Sequence, residues 1–338
     1  MSHGTPPAAP PGAAPPVVAT VWRDGVVESV HRGSVAVAAA DGTILAALGD
    51  PARATYVRSA AKPFQALAML ELLAGAAVDV DARALAIACA SHQGDDLQQI
   101  EAARLLALAD LDESALRCPP ALPAAHASPS ELRRDQRLPE RLAHNCSGKH
   151  AGFLLATVAA GQDPSDYLQA GSLVQRRVRA ALAEVTGEEP TGPGVDGCGA
   201  PAWVLPLRGL AVAFARLAAG ASPALAQVGA SMRGHPLLIG GVDCDDSALM
   251  LADAGVVAKR GAEAVFAAGW RDPVRGPVGV AVKVEDGGSR AAGPVAAAVL
   301  AGGGASVPES VRRPVVLGGG VPHGRLEPAT TLASLLQR

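Results

Sequence analysis

The sequence predicts an α+β protein, in which an antiparallel β-meander leads into a series of helices and a second group of strands follows near the C-terminus. Two observations support this class. Short β-branched runs separated by turn residues lie between Val17 and Gly49 and again between Gly255 and Glu285. The segments between these regions carry apolar residues every three or four positions, which is the spacing of helices that bury one face.

The strands are predicted from apolar runs and the turns between them. Asp24-Gly25 and Asp41-Gly42 are strong hairpin signals, and a third turn is predicted at His31-Arg32-Gly33. Near the C-terminus, one strand carries Lys259, a second follows a glycine-containing turn, and Val315–Leu317 returns a further strand. The other predicted strands are Val17–Trp22, Val26–Val30, Ser34–Ala38, Thr43–Leu48 and Pro277–Glu285.

Helices are predicted between these strand groups and after them. Pro63 fixes the start of the first helix, because proline is tolerated in the first turn, where its missing N–H would have no partner. Ser59 therefore lies at or next to the N-cap of that helix. The predicted helices span residues 60–73, 81–90, 96–109, 151–160, 173–186, 206–219, 223–233 and 290–300.

Composition limits the classes of function. The chain has 338 residues, of which 49% are hydrophobic, so it can bury a large core. A net charge of −3 and an aromatic content of 3% argue against nucleic acid or an acidic membrane surface as a partner. Residues 1–16, rich in proline and alanine, are predicted to be a disordered tail, and residues 17–338 a single catalytic domain.

The compartment is predicted from cysteines and from the N-terminus. The five cysteines are widely spread and do not form the pattern of a disulfide framework. The N-terminus lacks a basic region followed by an apolar core, and no run of about 18 uncharged apolar residues occurs. We therefore expect a cytoplasmic protein that does not enter a membrane.

The segment Arg58-Ser59-Ala60-Ala61-Lys62 carries the main candidate chemistry. Residues three apart share a helix face, so the Ser59 hydroxyl and the Lys62 amine can come within hydrogen-bonding reach. The positive potential at a helix N-terminus disfavours protonated lysine and stabilises an oxyanion, as a serine acyl-transfer enzyme with an amine base requires. The alternative is a capping serine beside a solvated lysine.

Lysine is rare in this chain. Only Lys62, Lys149, Lys259 and Lys283 occur among 29 lysines and arginines. Either residue can serve as a surface cation, but an amine that transfers a proton or binds a metal cannot be arginine, whose guanidinium stays charged. The four lysines are therefore candidates for function, and codon bias with leftover surface lysines is the alternative.

The segment His144–Phe153 is chemically dense. It contains the only asparagine of the chain together with cysteine, lysine and histidine residues, just before a predicted helix. Cys146 with Lys149 or His150 has chelating spacing, although the usual Cys-x-x-Cys pair is absent. These residues are candidates for metal binding.

Two further stretches hold candidate site residues. Ser91 ends a buried apolar helix, where it is either a capping residue or a second hydroxyl of the site. In Gly194–Pro201, glycines on both sides of Cys198 indicate a close approach of the backbone, and Asp196 offers a charge for an ammonium group. A structural tight turn is the alternative for this stretch.

Together these motifs resemble the asparaginase II family, typified by the inducible rhizobial L-asparaginase. The resemblance covers nearly everything from Val17 onward. Asn-Cys-Ser-Gly-Lys-His at 145–150 and Asp-Gly-Cys-Gly at 196–199 are specific to that family, whereas Ser-x-x-Lys with a distant Lys-x-Gly strand is shared with serine β-lactamases, penicillin-binding proteins and glutaminases. The matching segments are 58–63, 90–92, 144–152, 195–199 and 257–261.

This resemblance implies a serine β-lactamase-like fold, an antiparallel sheet flanked by helices with a helical subdomain, in a homodimer. It implies hydrolysis of L-asparagine to L-aspartate and ammonia. It also implies a role for each of ten residues. Ser59 would be the nucleophile with Lys62 as its base, Ser91 and Lys259 a second hydroxyl–amine pair, Cys146, Lys149 and Cys198 the ligands of a zinc ion, and Arg58, His150 and Asp196 the substrate-binding residues.

One loop departs from the family pattern. After Gly240-Gly241 the family tends to continue with a threonine- and arginine-containing loop, whereas this chain has Val242-Asp243-Cys244-Asp245-Asp246, which bears on substrate preference. The alternative functions are a glutaminase or another amidohydrolase of the same fold, and a catalytically silent zinc or amino-acid sensor. The intact hydroxyl–amine pairs favour an enzyme, whose activity is expected to rise with pH as the lysines deprotonate.

Overall fold

Two antiparallel sheets organise the chain in the computed structural model, which describes residues 14–124 and 138–337. In chain order the strands are β1 (Val17–Arg23), β2 (Val26–Ala39), β3 (Ile44–Leu48), β4 (Ala54–Tyr56), β5 (Thr191–Val195), β6 (Pro201–Pro206), β7 (Val257–Gly261), β8 (Val265–Asp272), β9 (Gly276–Val284), β10 (Val315–Gly318) and β11 (Val321–Pro328). The large sheet has the order β10-β11-β1-β2-β9-β8-β7, with β3 also paired to β2, and the small sheet has the order β4-β6-β5. The α+β class with antiparallel strands is therefore confirmed.

The predicted turn at His31-Arg32-Gly33 is wrong. β2 runs unbroken through this segment, pairing with β1 and then β3 along one edge and with β9 along the other. A Cβ atom on Gly33 would lie 2.4 Å from the carbonyl oxygen of Lys283 on β9. Glycine is required here for the close approach of two strands and not for a change of direction.

The predicted helices are present, several with shifted ends. The largest shift is in the fourth, which begins at Ser147 and not at Ala151, so that Lys149 and His150 lie inside its first turn. The α-helices are α1 (Lys62–Leu73), α2 (Ala82–Ala88), α3 (Asp96–Ala107), α4 (Ser147–Ala159), α5 (Leu173–Thr186), α6 (Leu207–Ala219), α7 (Pro223–Gly234), α8 (Pro236–Ile239), α9 (Asp245–Ala252), α10 (Ala292–Gly302), α11 (Glu309–Arg312) and α12 (Thr330–Ala333).

Helices cover both faces of the large sheet. Gly269 and Gly279 are paired on β8 and β9, and a Cβ on either would lie within 2.1 Å of a backbone oxygen of α6. Trp270, the next residue along β8, points to the opposite face and donates a hydrogen bond from Nε1 to the carbonyl of Gly303, just after α10. The sheet is therefore enclosed between α6 and α10.

A single cluster of buried apolar side chains extends from Val18 to Leu336. In the described part of the chain, no single helix is long and apolar enough to cross a membrane; only α6 and α7 pass that test together, and they are bent by 86°. Most of the predicted disordered tail, residues 1–13, lies outside the described residues, as do residues 125–137.

Candidate active site

Ser59 lies in a 3₁₀ turn, Arg58–Ala61, that joins β4 of the small sheet to α1. Pro63 occupies the first turn of α1, as predicted, whereas the N-cap of the helix is Ala61 and not Ser59. Arg58 has a φ of +48°, in the left-handed region that residues other than glycine rarely adopt. Strained backbone of this kind is concentrated at functional sites.

A cleft opens beside this turn. The residues that line it come from the turn, from the first two turns of α1, from α4 and from the β5–β6 region. Five predicted site residues are among them, namely Arg58, Ser59, Lys62, Lys149 and Asp196. The cleft therefore brings together predicted site residues that are up to 138 positions apart in sequence.

Arg58 and Asp196 form an ion pair at the cleft. Nη2 and Nε of Arg58 lie 2.8 and 3.1 Å from the same carboxylate oxygen of Asp196. The pair is partly exposed and presents a guanidinium next to a carboxylate. An α-amino acid carries a carboxylate and an ammonium group. Arg58 can bind the carboxylate and Asp196 the ammonium, because in each case the charges are opposite.

Lys62 is buried at the base of the cleft, with 1% of its surface exposed. Its Nζ donates hydrogen bonds to Ser91 Oγ at 3.0 Å, to the Asn145 carbonyl at 3.2 Å and to the Ala90 carbonyl. Burial lowers the pKa of Lys62 below its ordinary value. In the neutral amine, the two N–H groups would donate to the two carbonyls, and the lone pair would face the Ser91 hydroxyl. Lys62 is therefore a suitable base.

The expected hydrogen bond between Ser59 and Lys62 is not present. Within the described residues Ser59 Oγ has no hydrogen-bond partner, and the Lys62 amine bonds Ser91 instead, although both Ser59 and Lys62 line the cleft. The physical reason is the depth of the amine, since a buried amine needs acceptors for its N–H groups and the carbonyls of Ala90 and Asn145 provide them. Of the two hydroxyls, Ser91 bonds the amine, whereas Ser59 only lines the same cleft as Lys62.

The expected contact between Ser91 and Lys259 is also absent. The Lys259 amine is fully buried and donates to the carbonyl of Arg260 at 3.0 Å and to Asp246 at 3.4 Å. Burial lowers the pKa of Lys259 to about 7, against the opposing effect of Asp246. Lys259 is linked to Ser91 through its neighbour, because Nη2 of Arg260 donates to the Ser91 carbonyl at 2.7 Å.

The three predicted zinc ligands lie together. Nζ of Lys149 is 3.0 Å from Sγ of Cys198, and the Cys146 thiol donates a hydrogen bond to Asn145 Oδ1 at 3.1 Å. All three side chains are buried. The neighbouring Cys198 thiol and the charges of Lys62 and Lys149 hold the pKa of Cys146 well below its ordinary value, although burial acts in the opposite direction.

The donor set fits a zinc ion in chemistry, because thiolate sulfur and nitrogen are its usual ligand atoms. It differs from common metal sites, because lysine replaces a histidine or a third cysteine. Among residues 14–124 and 138–337, no group of three or more His, Cys, Asp or Glu side chains is arranged to hold a metal ion. Metal binding at this site stays a prediction.

A comparison with protein families decides the identity of the chain. The model of the L-asparaginase II family matches residues 19–328. The chain belongs to the L-asparaginase II family. Membership supports an amidohydrolase that acts on an amide such as asparagine. A search of curated proteins finds no match.

His150 of this L-asparaginase II family member lies outside the cleft wall. The side chain is fully buried, and its Nδ1 lies 2.7 Å from the hydroxyl of Tyr167. Burial holds the pKa of His150 well below its ordinary value, so that the ring is neutral. It is thus the one predicted substrate-binding residue that does not line the cleft.

The loop that departs from the pattern of the L-asparaginase II family adds residues that the sequence did not suggest. Asp246 is fully buried and accepts a hydrogen bond from the Arg260 backbone at 3.2 Å, in addition to its contact with Lys259. Arg260 also donates to the carbonyl of Gly240 at 3.1 Å. An arginine from β7 therefore contacts this loop through both its backbone and its side chain.

Gln65 and Trp203 also line the cleft and were not predicted as site residues. Gln65 lies three positions after Lys62 on α1, just as Lys62 lies three positions after Ser59. The same i, i+3 spacing could therefore have predicted Gln65 as a site residue. Trp203 lies on β6 and has no such signal, because the pairing of β6 with β4 brings it to the turn.

Proposed function

We propose that the protein is an L-asparagine amidohydrolase that converts L-asparagine and water to L-aspartate and ammonia through an acyl-enzyme. One observation carries the proposal: a single cleft contains the Ser59 hydroxyl, the buried Lys62 amine and the Arg58–Asp196 ion pair. The first two supply a nucleophile and a base, and the third supplies recognition of an amino acid. Membership of the family supports the same class of reaction.

In the proposed acylation, Ser59 Oγ attacks the carbon of the side-chain amide. Its proton passes to the Lys62 amine, with the Ser91 hydroxyl as the second member of the relay. Backbone N–H groups of the turn that contains Ser59 stabilise the oxyanion. The C–N bond then breaks, and the departing nitrogen takes the proton from the relay and leaves as ammonia.

In the proposed deacylation, water attacks the ester on Ser59 and gives its proton to the same relay. The C–O bond to Ser59 breaks, aspartate leaves, and the proton returns to Ser59 Oγ. The low pKa of Lys62 is essential in both steps, because the amine must be neutral to accept a proton. Burial in the cleft provides that low pKa.

Release of ammonia from a panel of amides tests the proposal. We expect turnover of L-asparagine above that of L-glutamine, and little turnover of amides without an α-ammonium or an α-carboxylate, because these leave Arg58 and Asp196 without a ligand. Faster release from glutamine would assign a glutaminase. Bound zinc without ammonia from any amide, in a folded sample, would support a sensor and contradict the proposed enzyme.

We also propose that Cys146, Lys149 and Cys198 hold a zinc ion. Zinc would fix the loop of Cys146 and help to position the substrate, whereas the Lys62 amine remains the base of the reaction. Burial lowers the pKa of Lys149, but the two cysteines outweigh it and raise that pKa. Because lysine ligates only as a neutral amine, zinc affinity should weaken as pH falls.

After dialysis, the wild type should keep about one zinc ion per chain. The Cys198→Ala variant should lose most of its bound zinc, because each ligand of a four-coordinate site is needed. Metal content by mass spectrometry at pH 8 and pH 6 measures this. Cys89→Ala is the matched control, because Cys89 is a buried free thiol outside the three ligands. Equal zinc in the wild type and in Cys198→Ala would contradict the site.

The serine β-lactamase-like fold, the homodimer and the cytoplasmic location stay predictions. The antiparallel sheet between α6 and α10 is consistent with that fold. Analytical ultracentrifugation of the full chain would test the homodimer.

A further inference from the structure

Two side chains of the cleft contain buried polar atoms that have no partner. Within the described residues, five buried side-chain nitrogen or oxygen atoms lack a hydrogen bond. Two of the five, Gln65 Oε1 and Trp203 Nε1, belong to residues that line the cleft of Ser59. Both residues are nearly enclosed, with 6% and 5% of their surfaces exposed. Native proteins rarely leave such atoms unpaired, because each costs free energy.

Secondary structure places both residues next to the turn that contains Ser59. Gln65 lies in the second turn of α1, on the face that carries Lys62. Trp203 lies on β6, and its carbonyl accepts a hydrogen bond of 3.2 Å from the backbone N–H of Val57, two residues before Ser59. The backbone of both residues is therefore fixed relative to the turn that contains Ser59.

The two atoms have opposite hydrogen-bonding character. An indole N–H can only donate, so Trp203 requires an acceptor from the ligand. Gln65 Oε1 can only accept, so it requires an N–H from the ligand. The two atoms do not pair with each other. A primary carboxamide offers both groups, a carbonyl oxygen and an N–H, on one planar unit.

We infer that Gln65 and Trp203 recognise the carboxamide of the substrate, with Trp203 donating to its oxygen and Gln65 accepting from its nitrogen. The inference rests on the proposed amidohydrolase function and adds a specificity-determining pair to it. The Arg58–Asp196 pair binds the α-amino acid end, and Gln65 and Trp203 bind the end that reacts.

The same pair discriminates against the product. Aspartate has a carboxylate where asparagine has an amide, so it can accept from Trp203 but has no N–H for Gln65. Two oxygen atoms then face each other in a buried site, which is unfavourable because neither can donate. Gln65 therefore favours binding of the amide and release of the acid.

Two variants test the pair. Gln65→Leu removes the acceptor, and Trp203→Phe removes the donor but keeps an aromatic ring. Each should lower kcat/KM for asparagine by about 10- to 100-fold, because a buried hydrogen bond to the substrate is lost. Gln65→Leu should keep the Tm within about 1 °C of the wild type, because the free protein loses no hydrogen bond. Trp203→Phe loses the packing of a buried indole but no hydrogen bond, so its Tm should fall by less than that of Trp270→Phe, which loses both. In Gln65→Leu, the ratio of the aspartate Ki to the asparagine KM should also fall.

Trp270→Phe is the matched control. Its Nε1 donates to the Gly303 carbonyl at 3.2 Å, on the large sheet and away from the cleft. This variant should lower the Tm on the order of 2 °C and leave kcat/KM unchanged, because it loses a structural hydrogen bond. The two tryptophan variants therefore separate recognition of the substrate from packing, because only Trp203→Phe should lower kcat/KM.

The outcomes separate this inference from the proposed function. If the wild type hydrolyses asparagine and both variants match its kcat/KM, or lose only Tm, the recognition pair is wrong and the enzyme stands. If the wild type hydrolyses no amide but asparagine raises its Tm and not that of the variants, the pair stands and the enzyme is wrong. If asparagine neither reacts nor raises the Tm of the wild type, both are overturned. If one variant fails to fold, the other decides.

Discussion

Replacing Ser59 by alanine should reduce kcat for asparagine by on the order of 10⁴-fold or more, because no acyl-enzyme can form without the nucleophile. The loss should appear in kcat, with the KM little changed, since Arg58 and Asp196 still bind the amino acid. This is the largest effect that the proposed mechanism predicts.

The same variant should keep the stability of the wild type. Within the described residues the Ser59 hydroxyl has no hydrogen-bond partner, so alanine breaks no contact in the free protein. We expect thermal unfolding within about 1 °C of the wild type, as is usual for a substitution without a lost contact. Loss of activity in Ser59→Ala would therefore report loss of the nucleophile and not loss of the folded structure.

Ser91→Ala distinguishes the two hydroxyls. Ser91 accepts a hydrogen bond from the Lys62 amine, so the resting structure alone would make it a rival nucleophile. We expect Ser91→Ala to slow the reaction and still to form a covalent adduct with an activated amide or ester analogue, located on the peptide that contains Ser59 by mass spectrometry. An adduct on the Ser91 peptide of the wild type, or full turnover by Ser59→Ala, would contradict the mechanism.

Most elements of the fold were predictable because their signals are local. Pro63 marked the start of α1, and Asp24-Gly25 marked a hairpin. Gly33 failed as a signal, because glycine serves both turns and close strand contacts, and only the position of β9 decides between them. The start of α4 was missed because a helix that begins at Ser147 and Gly148 has no strong capping signal.

The sequence predicted which residues form the site better than it predicted which of these residues contact each other. The scarcity of lysine singled out four residues, of which Lys62, Lys149 and Lys259 are buried. The fourth, Lys283, is partly exposed and lies outside the cleft. The partners of these amines are set by long-range packing, which spacing along the chain does not report. Lys62 bonds the hydroxyl of Ser91, 29 positions away, and not that of Ser59, three positions away. Lys259 contacts Asp246, which lies on a separate helix.

Replacing Lys62 by methionine should lower kcat by about 10²- to 10⁴-fold, the usual contribution of a general base. Methionine has a similar length and suits a buried position, so the variant should fold. It leaves the carbonyls of Ala90 and Asn145 without their donor, which should cost about 1–3 kcal/mol of stability for each carbonyl that water cannot reach. The loss of activity at a temperature well below the Tm would then report the missing amine.

The pH profile gives the sharper test of Lys62. A base acts in its neutral form, so kcat/KM of the wild type should rise with pH as the amine deprotonates, with a midpoint below the ordinary lysine value of 10.5 because burial lowers the pKa. Lys62→Met should lose that rise and keep a flat residual rate. Lys283→Met is the matched control, because Lys283 is a partly exposed lysine that donates to the Glu263 carbonyl outside the cleft, and this variant should keep the wild-type profile. A Lys62→Met profile that still rises with the wild-type midpoint would assign the titration to another group and remove Lys62 as the base.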